Sequence, residues 1–240
     1  MRRVAAKLMH SLAAAVGNKV GKEAEELCAS GQGAAAAVAL KLAVDLGHLP
    51  SRALKAWMLI QGREGVADNC DAAFELVEEG ARLGCHHCQG VMAECYRWGN
   101  GCEVDAARSL ELARESSGKG SRYGQHALGM VYELGAGGVA QDRALALYRL
   151  AAAQNLDVAQ RSLGDMYDHG QGVAKDRAEA LRLYQLAAAQ GHPDALFHVA
   201  DCHEEGLGVP KNKAKAISWY RRAQAAGNSD AAAALQRLGA

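Results

Sequence analysis

Residues 159–194 read AQRSLGDMYDHGQGVAKDRAEALRLYQLAAAQGHPD, and residues 195–230 read ALFHVADCHEEGLGVPKNKAKAISWYRRAQAAGNSD. The second stretch keeps the two turn glycines of the first at an offset of 36 residues. It also keeps five further residues at that offset: Val209, Ala214, Ala216, Tyr220 and Ala223. Two copies that match at a fixed offset of this length indicate a repeat protein.

The repeat continues toward the N-terminus as two series of turn residues. The first series recurs at intervals of 35 or 36 residues: Gly84, Gly120, Asn155, Gly191 and Gly227. Glycine and asparagine end helices because they adopt the left-handed backbone conformation at low cost. The second series runs in phase with the first: Gly65, Gly101, Gly137 or Gly138, Gly172 and Gly208. Two turns in each period predict two helices, which we name helix A and helix B.

A third series of residues predicts where helix B begins. Its side-chain oxygens can accept the unpaired N–H groups of a helix N-terminus, and its members are Asn69, Asp105, Asp142, Asp176 and Asn212. Glu179 follows Asp176 by three residues, which is the spacing of a reciprocal capping box. Alanine is abundant and only three prolines occur, which favours helices throughout.

The segment LGDMYDHGQGVAKDRAEALRLYQLAAAQG resembles the Sel1-like repeat, a relative of the tetratricopeptide repeat, whose pattern is LGxxYxxGxGVxxDxxxAxxxYxxAAxxG. The resemblance is strong over residues 124–230, fair over 88–123, weak over 52–87 and only suggestive over 23–51. It implies an all-α fold, a right-handed superhelical α-solenoid of stacked antiparallel helix pairs. It further implies a non-catalytic scaffold or adaptor that binds other proteins, including a structural subunit or an assembly factor of a larger complex.

The expected core follows from helical spacing. Leu163, Met166 and Tyr167 share one face of helix A. Gly129 and Gly164 lack side chains where helices A and B approach each other. The tyrosines of helix B, which fill the space between neighbouring pairs, are Tyr148, Tyr184 and Tyr220.

How closely each part follows the repeat pattern divides the chain into three segments. Residues 1–51 are predicted to hold an N-terminal helix and a degenerate first repeat, residues 52–230 an array of about five repeats, and residues 231–240 a C-terminal capping helix. Gly31, Gln32 and Gly33 are interpreted as a turn, so the stretch up to Gly47 is expected to be too short for a full helix B.

Charge and hydropathy limit the partners and the compartment. The 27 basic and 27 acidic residues balance, so nothing predicts nucleic-acid binding. No apolar run is long enough for an integral membrane segment. Residues 1–22 carry five basic and no acidic residues, which is typical of a mitochondrial presequence, although an amphipathic helix that caps the first repeat has the same pattern. We expect an intracellular, reducing compartment, either cytoplasmic or organellar.

The seven cysteines raise the question of metal or disulfide chemistry. Cys85 and Cys88 flank two histidines and could form half of a zinc site, but no second ligand pair with regular spacing follows. No cofactor is predicted. The resemblance implies one disulfide per repeat in cysteine-rich relatives, yet the expected partner of Cys88 is Gly80. Cys95 and Cys202 are interpreted as core residues. A metal- or thiol-dependent enzyme centred on Cys85 and Cys88 is the alternative function.

The predicted binding surface is one face of helix A. The third, seventh and tenth residues of each helix A share this face, so stacking places them in a strip that is acidic toward the C-terminus. Trp98 and Arg97 add a second candidate contact, because tryptophan and arginine are favoured at interface hot spots. The candidate partner-binding residues are Arg97, Trp98, His126, Met130, Glu133, Arg161, Asp165, Asp168, Phe197, Asp201 and Glu204. A solvated helix face is the alternative interpretation.

Overall fold

The computed structural model describes residues 2–30, 32–62, 69–134 and 138–240, and within them the chain forms thirteen helices and no strand. The helices are α1 (Arg2–Ala29), α2 (Gly33–Asp45), α3 (Leu49–Gln61), α4 (Cys70–Arg82), α5 (His86–Trp98), α6 (Ala106–Gly118), α7 (Arg122–Glu133), α8 (Gly138–Ala153), α9 (Asp157–His169), α10 (Arg177–Ala189), α11 (Pro193–Glu205), α12 (Lys213–Ala225) and α13 (Ala231–Leu238). From α3 onward the odd-numbered helices are the predicted helices A, and the even-numbered ones are helices B.

The predicted helix stops are confirmed. All five positions of the first series have positive φ angles, including Asn155 at 59° and Gly191 at 81°. In the second series, Gly101, Gly172 and Gly208 also have positive φ. Gly65 and Gly137 lie outside the described residues. The local chemistry of the turn residues therefore sets where these helices end.

Four of the five predicted helix starts are confirmed by side-chain caps. Asn69, Asp105, Asp176 and Asn212 each accept a hydrogen bond from a backbone N–H two or three residues later, at about 3.0 Å. The prediction for Asp142 is wrong, because α8 begins four residues earlier at Gly138. Gly138 adopts a helical conformation, whereas Gly172 and Gly208 hold the chain out of the helix with positive φ.

Only one of the two hydrogen bonds of the predicted capping box forms at the start of α10. Asp176 accepts from the backbone N–H groups of Ala178 and Glu179, each at 3.0 Å. Glu179 does not return the bond. The N–H of Asp176 donates instead to the carbonyl of Tyr167 at 2.9 Å, and Glu179 pairs with Arg182 at 2.6 Å. A contact with the preceding helix A thus satisfies the donor that the capping box would have used.

The expectation that the first repeat lacks a full helix B is also wrong. Helix α2 has 13 residues, as many as α4 or α10. Gly33 is the first residue of this helix rather than part of the turn, so the connection after α1 is shorter than the later connections from helix A to helix B. The division of the chain into residues 1–51, 52–230 and 231–240 stays a proposal based on sequence regularity.

The chain consists of two compact units, Met1–Ala127 and Leu128–Ala240. In the first unit, α1 packs against the turn between α2 and α3 at two glycines. A Cβ atom at Gly17 would lie 3.3 Å from Cβ of Leu46, and one at Gly21 would lie 2.3 Å from Nδ1 of His48. The ring of Trp57 on α3 lies 5.2 Å from that of Tyr123 on α7, so aromatic side chains fill the inner side of this unit.

In the second unit, α9, α10, α11 and α12 form the regular stack that the sequence predicts. Its buried side chains include Met166, Tyr184, Val199 and Tyr220, all less than 4 % exposed. Helix α13 ends at Gly239, whose φ is 71°, so the prediction of one more helix A is confirmed. Each helix pair buries one face against its neighbour, as expected for a repeat array.

The close approach of helices A and B at Gly164 gives a stability prediction. A Cβ atom there would lie 2.6 Å from Cε1 of Tyr184, a side chain that is itself buried. We expect Gly164→Ala to lower the free energy of unfolding by about 2 kcal/mol, since overpacking of a core costs about 1 to 3 kcal/mol. Denaturant unfolding monitored by circular dichroism measures this.

The matched control is Gly118→Ala in α6, where no atom lies within 4 Å of the new Cβ. Alanine is the better helix former there, so the control should be neutral or stabilising by up to about 1 kcal/mol. Equal losses in both variants would contradict the close approach at Gly164.

Candidate protein-interaction surface

The helix A face of the second unit carries most of the predicted binding residues. Met130, Arg161, Asp165, Asp168, Phe197, Asp201 and Glu204 are all partly buried, and Glu133 is exposed. Successive helices A are neighbours on this face. Nε2 of His198 on α11 lies 3.9 Å from Asp165 on α9, and Arg237 on α13 contacts Glu204 on α11 at 2.8 Å. The strip of side chains predicted from the spacing is therefore continuous from α9 to α13.

Tyrosine hydroxyls of helix B hold the carboxylates of this face. Tyr184 donates to Asp165 at 2.7 Å, and Tyr148 donates to Glu133 at 2.6 Å. Tyr220 is close to both carboxylates of α11, at 2.5 Å from Asp201 and 2.6 Å from Glu204. Hydrogen bonds to charged groups are short and strong. The carboxylates are therefore fixed in position before any partner arrives.

The same carboxylates also meet arginines. Arg161 pairs with Asp165 at 2.6 Å, and Arg177 lies 3.4 Å from Asp168. Arg237 completes a cluster at the C-terminal end by pairing with Glu204. The face therefore alternates acidic and basic groups, with the acids in excess, rather than presenting a plain row of solvated charges.

Burial shifts the ionisation of several groups on this face. It raises the pKa of Tyr184 and Tyr220 well above the usual range, and the neighbouring carboxylates add to the effect. Burial also raises the pKa of Asp201, while the hydrogen bond from Tyr220 and the nearby His198 act in the opposite direction. The two hydroxyls thus stay protonated and remain donors at all physiological pH values.

Apolar contacts lie among these charges. The ring of Phe197 lies 5.2 Å from that of Tyr220, and the His198 ring stacks on Tyr184 at 4.8 Å. Phe197 and Met130 are both partly exposed. The face therefore combines partly exposed apolar side chains with fixed polar groups, which is the composition of many protein interfaces.

In the first unit, the predicted face residue His126 is closed to solvent together with Glu94 of α5. Glu94 and His126 are only 3 % and 5 % exposed, and Nδ1 of His126 lies 2.8 Å from Oε1 of Glu94. Trp57 packs edge-on against His126 at 6.2 Å between ring centroids. His126 is therefore part of a buried polar pair. The sequence prediction did not anticipate this burial, because it depends on α3 reaching α7.

Trp98 keeps its place as a candidate contact in the first unit. Its side chain is 61 % exposed, and its indole N–H donates to Oε2 of Glu94 at 3.2 Å. The guanidinium of Arg97 lies 5.3 Å from the centre of the indole ring. An exposed indole held by a buried carboxylate offers a rigid apolar surface, as interface hot spots require.

The alternative of a zinc site and the interpretation of Cys95 and Cys202 as core residues can be compared with the described ranges. Within them, no group of three or more His, Cys, Asp or Glu side chains is arranged to hold a metal ion. Cys95 and Cys202 are 0 % and 4 % exposed, which confirms them as core residues. Burial raises the pKa of both thiols to about 12.

The tyrosine contacts were not anticipated, although the sequence holds a signal for them. Asp165 precedes Tyr184 by 19 residues, and Asp201 precedes Tyr220 by the same interval. An acid on helix A thus recurs with a tyrosine on helix B in two successive repeats. Recognising it requires knowing that the two helices cross at Gly164 or Ala200, which brings the hydroxyl to the carboxylate.

The architecture and this surface define the class of protein. The chain is an all-α repeat solenoid in which stacked helix pairs present one face of helix A. A family model described as Sel1 repeat matches residues 86–121, 122–156, 157–192 and 193–228, which is more than half of the sequence. The chain belongs to the Sel1 repeat family. Proteins of this family generally mediate protein–protein interactions and are generally not enzymes.

Solved structures of several bacterial proteins share the fold. A Sel1 repeat protein from Oxalobacter formigenes is 22 % identical, with a TM-score of 0.56 over 88 % of this chain and 84 % of that one. The immunity protein Pa5087 from Pseudomonas aeruginosa is 17 % identical, with a TM-score of 0.53 over 89 % and 83 % of the two chains. A putative sel1 repeat protein from Klebsiella pneumoniae is 20 % identical, with a TM-score of 0.51 over 82 % and 95 %.

These likenesses establish the fold alone. A comparison with curated proteins found no match. Among the described residues, none of the helices combines the length and the apolar character needed to cross a membrane.

The tyrosine contacts give a second stability prediction. We expect Tyr220→Phe to lower the free energy of unfolding by about 2 kcal/mol, because each hydrogen bond to a charged group contributes about 1.5 to 3 kcal/mol. The loss leaves Asp201 with one donor fewer. Tyr167→Phe is the control: its hydroxyl accepts from Arg149 in an exposed contact and should matter little. Similar losses in urea titrations of both variants would show that the carboxylate contacts do not stabilise the fold.

Proposed function

We propose that this chain is a non-catalytic scaffold or adaptor that binds a partner protein along the helix A face of its second unit. The observation that supports this is the set of carboxylates at Glu133, Asp165, Asp201 and Glu204, which tyrosine hydroxyls fix beside partly exposed apolar side chains. Preorganised side chains lose little entropy on binding. Such a surface is suited to a partner segment that is basic with apolar side chains between its charges.

The charge excess supports the choice of a basic partner. Arg161, Arg177 and Arg237 each pair with one carboxylate, whereas Glu133 and Asp201 accept from tyrosine hydroxyls. Arginine or lysine side chains of a partner would supply the missing charge. We expect the association to weaken as salt is raised, since exposed charges are screened over about 10 Å at 0.1 M ionic strength.

The roles in a larger assembly and the compartment are part of the same proposal. A scaffold with one binding face can serve as a fixed subunit or as an assembly factor. Buried thiols such as Cys88, Cys95 and Cys202 are suited to a reducing intracellular compartment. Whether residues 1–22 direct the chain to an organelle or cap α2 and α3 is decided by fusing them to a reporter protein and locating it in cells.

Charge reversal on the face tests the binding proposal. The variant Asp168→Lys with Glu204→Lys changes two acids on helices A. The variant Asp142→Lys with Glu179→Lys makes the same change in net charge on helices B α8 and α10. The tagged full chain is purified from its native cells in each form, and circular dichroism establishes that each is folded.

We expect a partner protein to copurify with the unmodified chain and with the helix B variant. The same partner should be lost from the helix A variant. Retention by both variants would show that the helix A face is not the binding site. Loss from both would show that net charge, rather than this face, governs the association.

A further inference from the structure

Two cysteines lie together at the start of α5. Cys85 is the N-cap residue, with φ of −74° and ψ of 107°, and Cys88 is the third residue of the helix. Side chains at these two positions approach each other across the first turn, as in a capping box. Both are buried, with exposed fractions of 6 % and 0 %. The chain therefore holds a C-x-x-C dithiol in its first unit.

The space beside this dithiol exists because α4 lacks a side chain at Gly80. A Cβ atom there would lie 2.3 Å from Sγ of Cys88. The backbone of Cys85 is fixed at the same place, since its N–H donates to the carbonyl of Gly80 at 3.0 Å. Sγ of Cys88 also lies 3.7 Å from the carbonyl oxygen of Leu49 on α3. Three helices thus meet at this dithiol: α3 and α4 lie against the Cys88 sulfur at the start of α5, and α4 fixes the backbone of Cys85.

The surroundings differentiate the two thiols. Hydrogen bonding from the Cys88 thiol, together with the backbone N–H groups of Cys88 and His87, lowers the pKa of Cys85 to about 6 despite its burial. The pKa of Cys88 is raised by its bond to Cys85 and by burial, although Arg52 of α3 acts against the rise. Cys85 is therefore the more acidic of the two and the one that favours the thiolate form.

His87 lies between the two cysteines in the sequence. Burial lowers the pKa of His87 to about 4, and His86 and Arg122 contribute to the lowering. His87 is therefore neutral, and its Nδ1 lies 3.2 Å from the hydroxyl of Ser121. The other buried cysteines differ, because burial raises the pKa of Cys95 and Cys202. A thiolate is the nucleophilic form of cysteine, so Cys85 stands apart from these two.

We propose that Cys85 and Cys88 are a redox-active dithiol that hydrogen peroxide converts to an intramolecular disulfide. The Cys85 sulfur attacks one peroxide oxygen, the O–O bond breaks, and hydroxide leaves, which forms a sulfenic acid. The Cys88 sulfur then attacks the Cys85 sulfur, its proton goes to the departing oxygen, and water leaves. The two cysteines lose two electrons, and one peroxide is reduced to a water and a hydroxide, which takes up a proton from solvent to become a second water. This inference does not depend on the proposed partner binding.

Peptide mapping of the full chain tests the proposal directly. The reduced protein is treated with hydrogen peroxide, the remaining thiols are alkylated, and the tryptic peptide of residues 83–97 is analysed. This peptide holds Cys85, Cys88 and Cys95. We expect a form lighter by two hydrogen atoms, with fragment ions that place the bond between Cys85 and Cys88 and an alkylated Cys95. Dithiothreitol should reverse the change.

Rates and variants separate this chemistry from general oxidation. We expect the disulfide to form at least tenfold faster than Cys95 or Cys202 is oxidised, since their thiolate fractions at neutral pH are minute. The variant Cys85→Ser should abolish the fast step. The variant Cys88→Ser should instead leave a sulfenic acid on Cys85 that dimedone captures. Cys202→Ser is the matched control and should retain the fast step.

Thiolate absorbance near 240 nm provides an independent measurement. We expect the absorbance of the unmodified chain to rise with increasing pH, with a midpoint of about pH 6. The variant Cys85→Ser should lack this rise. A disulfide that involves Cys95, oxidation of Cys85 without a bond to Cys88, or equal rates at all cysteines would overturn the proposal. The peptide map of the unmodified protein distinguishes these outcomes even where a variant fails to fold.

Discussion

Gly208→Ala is expected to lower the free energy of unfolding by about 3 kcal/mol or more. Two effects combine at this position. Gly208 has a φ of 71°, which costs an alanine about 1 to 2 kcal/mol. In addition, a Cβ atom would lie 2.4 Å from the carbonyl oxygen of Arg177, a backbone atom at the start of α10 that cannot rotate away. The turn of one repeat therefore has to separate from the helix of the repeat before it.

Gly191→Ala isolates the first effect. Gly191 has a similar φ of 81°, but no atom lies within 4 Å of its new Cβ. We expect a loss of about 1 kcal/mol there, so the two variants should differ by about 2 kcal/mol in denaturant unfolding. If they are destabilised equally, the contact between Gly208 and Arg177 is not formed.

His126→Leu is expected to destabilise the chain by about 3 kcal/mol. The variant removes the imidazole that lies 2.8 Å from the buried Glu94 carboxyl group, which still accepts from the indole N–H of Trp98, and a buried acidic group that loses a hydrogen-bond partner has a cost of this size. Urea unfolding at neutral pH measures the loss. His169→Leu is the control. Because His169 is exposed, this variant should lower the free energy of unfolding by at most about 0.5 kcal/mol.

A second substitution should recover most of this loss. Met130 is the residue equivalent to Glu94 in the next repeat, so Glu94→Met is the replacement that the repeat itself supplies. We expect the double variant Glu94→Met with His126→Leu to be within about 1 kcal/mol of the unmodified chain, since apolar residues often replace a buried pair without loss. A double variant as unstable as His126→Leu alone would show that lost packing causes the destabilisation, rather than the Glu94 carboxyl group left without the imidazole.

Some helix ends could be predicted from the sequence and others could not. The helix stops at Asn155 and Gly191 were predictable, because the conformation depends on the residue itself. The start of α8 was not, although Asp142 has the right chemistry for a cap. What differs is the preceding glycine: Gly172 leaves the helical region, whereas Gly138 stays within it. A glycine permits both conformations, so its neighbours in space make the choice.

The binding face shows the same division. The period and the spacing within helix A predicted which side chains share a face, and His198, Asp165, Arg237 and Glu204 confirm that these helices are neighbours. The hydrogen bonds of the carboxylates could not be predicted from that spacing. Their donors are tyrosine hydroxyls on helix B, 15 to 19 residues further along the chain. In the first unit, the corresponding position at Glu94 is buried against α7.

The sequence by itself determined the repeat, its two helices, the turn residues that separate them and the family to which the chain belongs. These properties depend on the backbone preferences of single residues and on helical periodicity, both of which operate over a few positions. The tertiary structure decided that tyrosine hydroxyls hold the acids of helix A, that Glu94 and His126 are closed to solvent, and that Gly80 leaves room for the thiol of Cys88. Each of these joins residues on different helices, and only the packing of those helices fixes the distance between them.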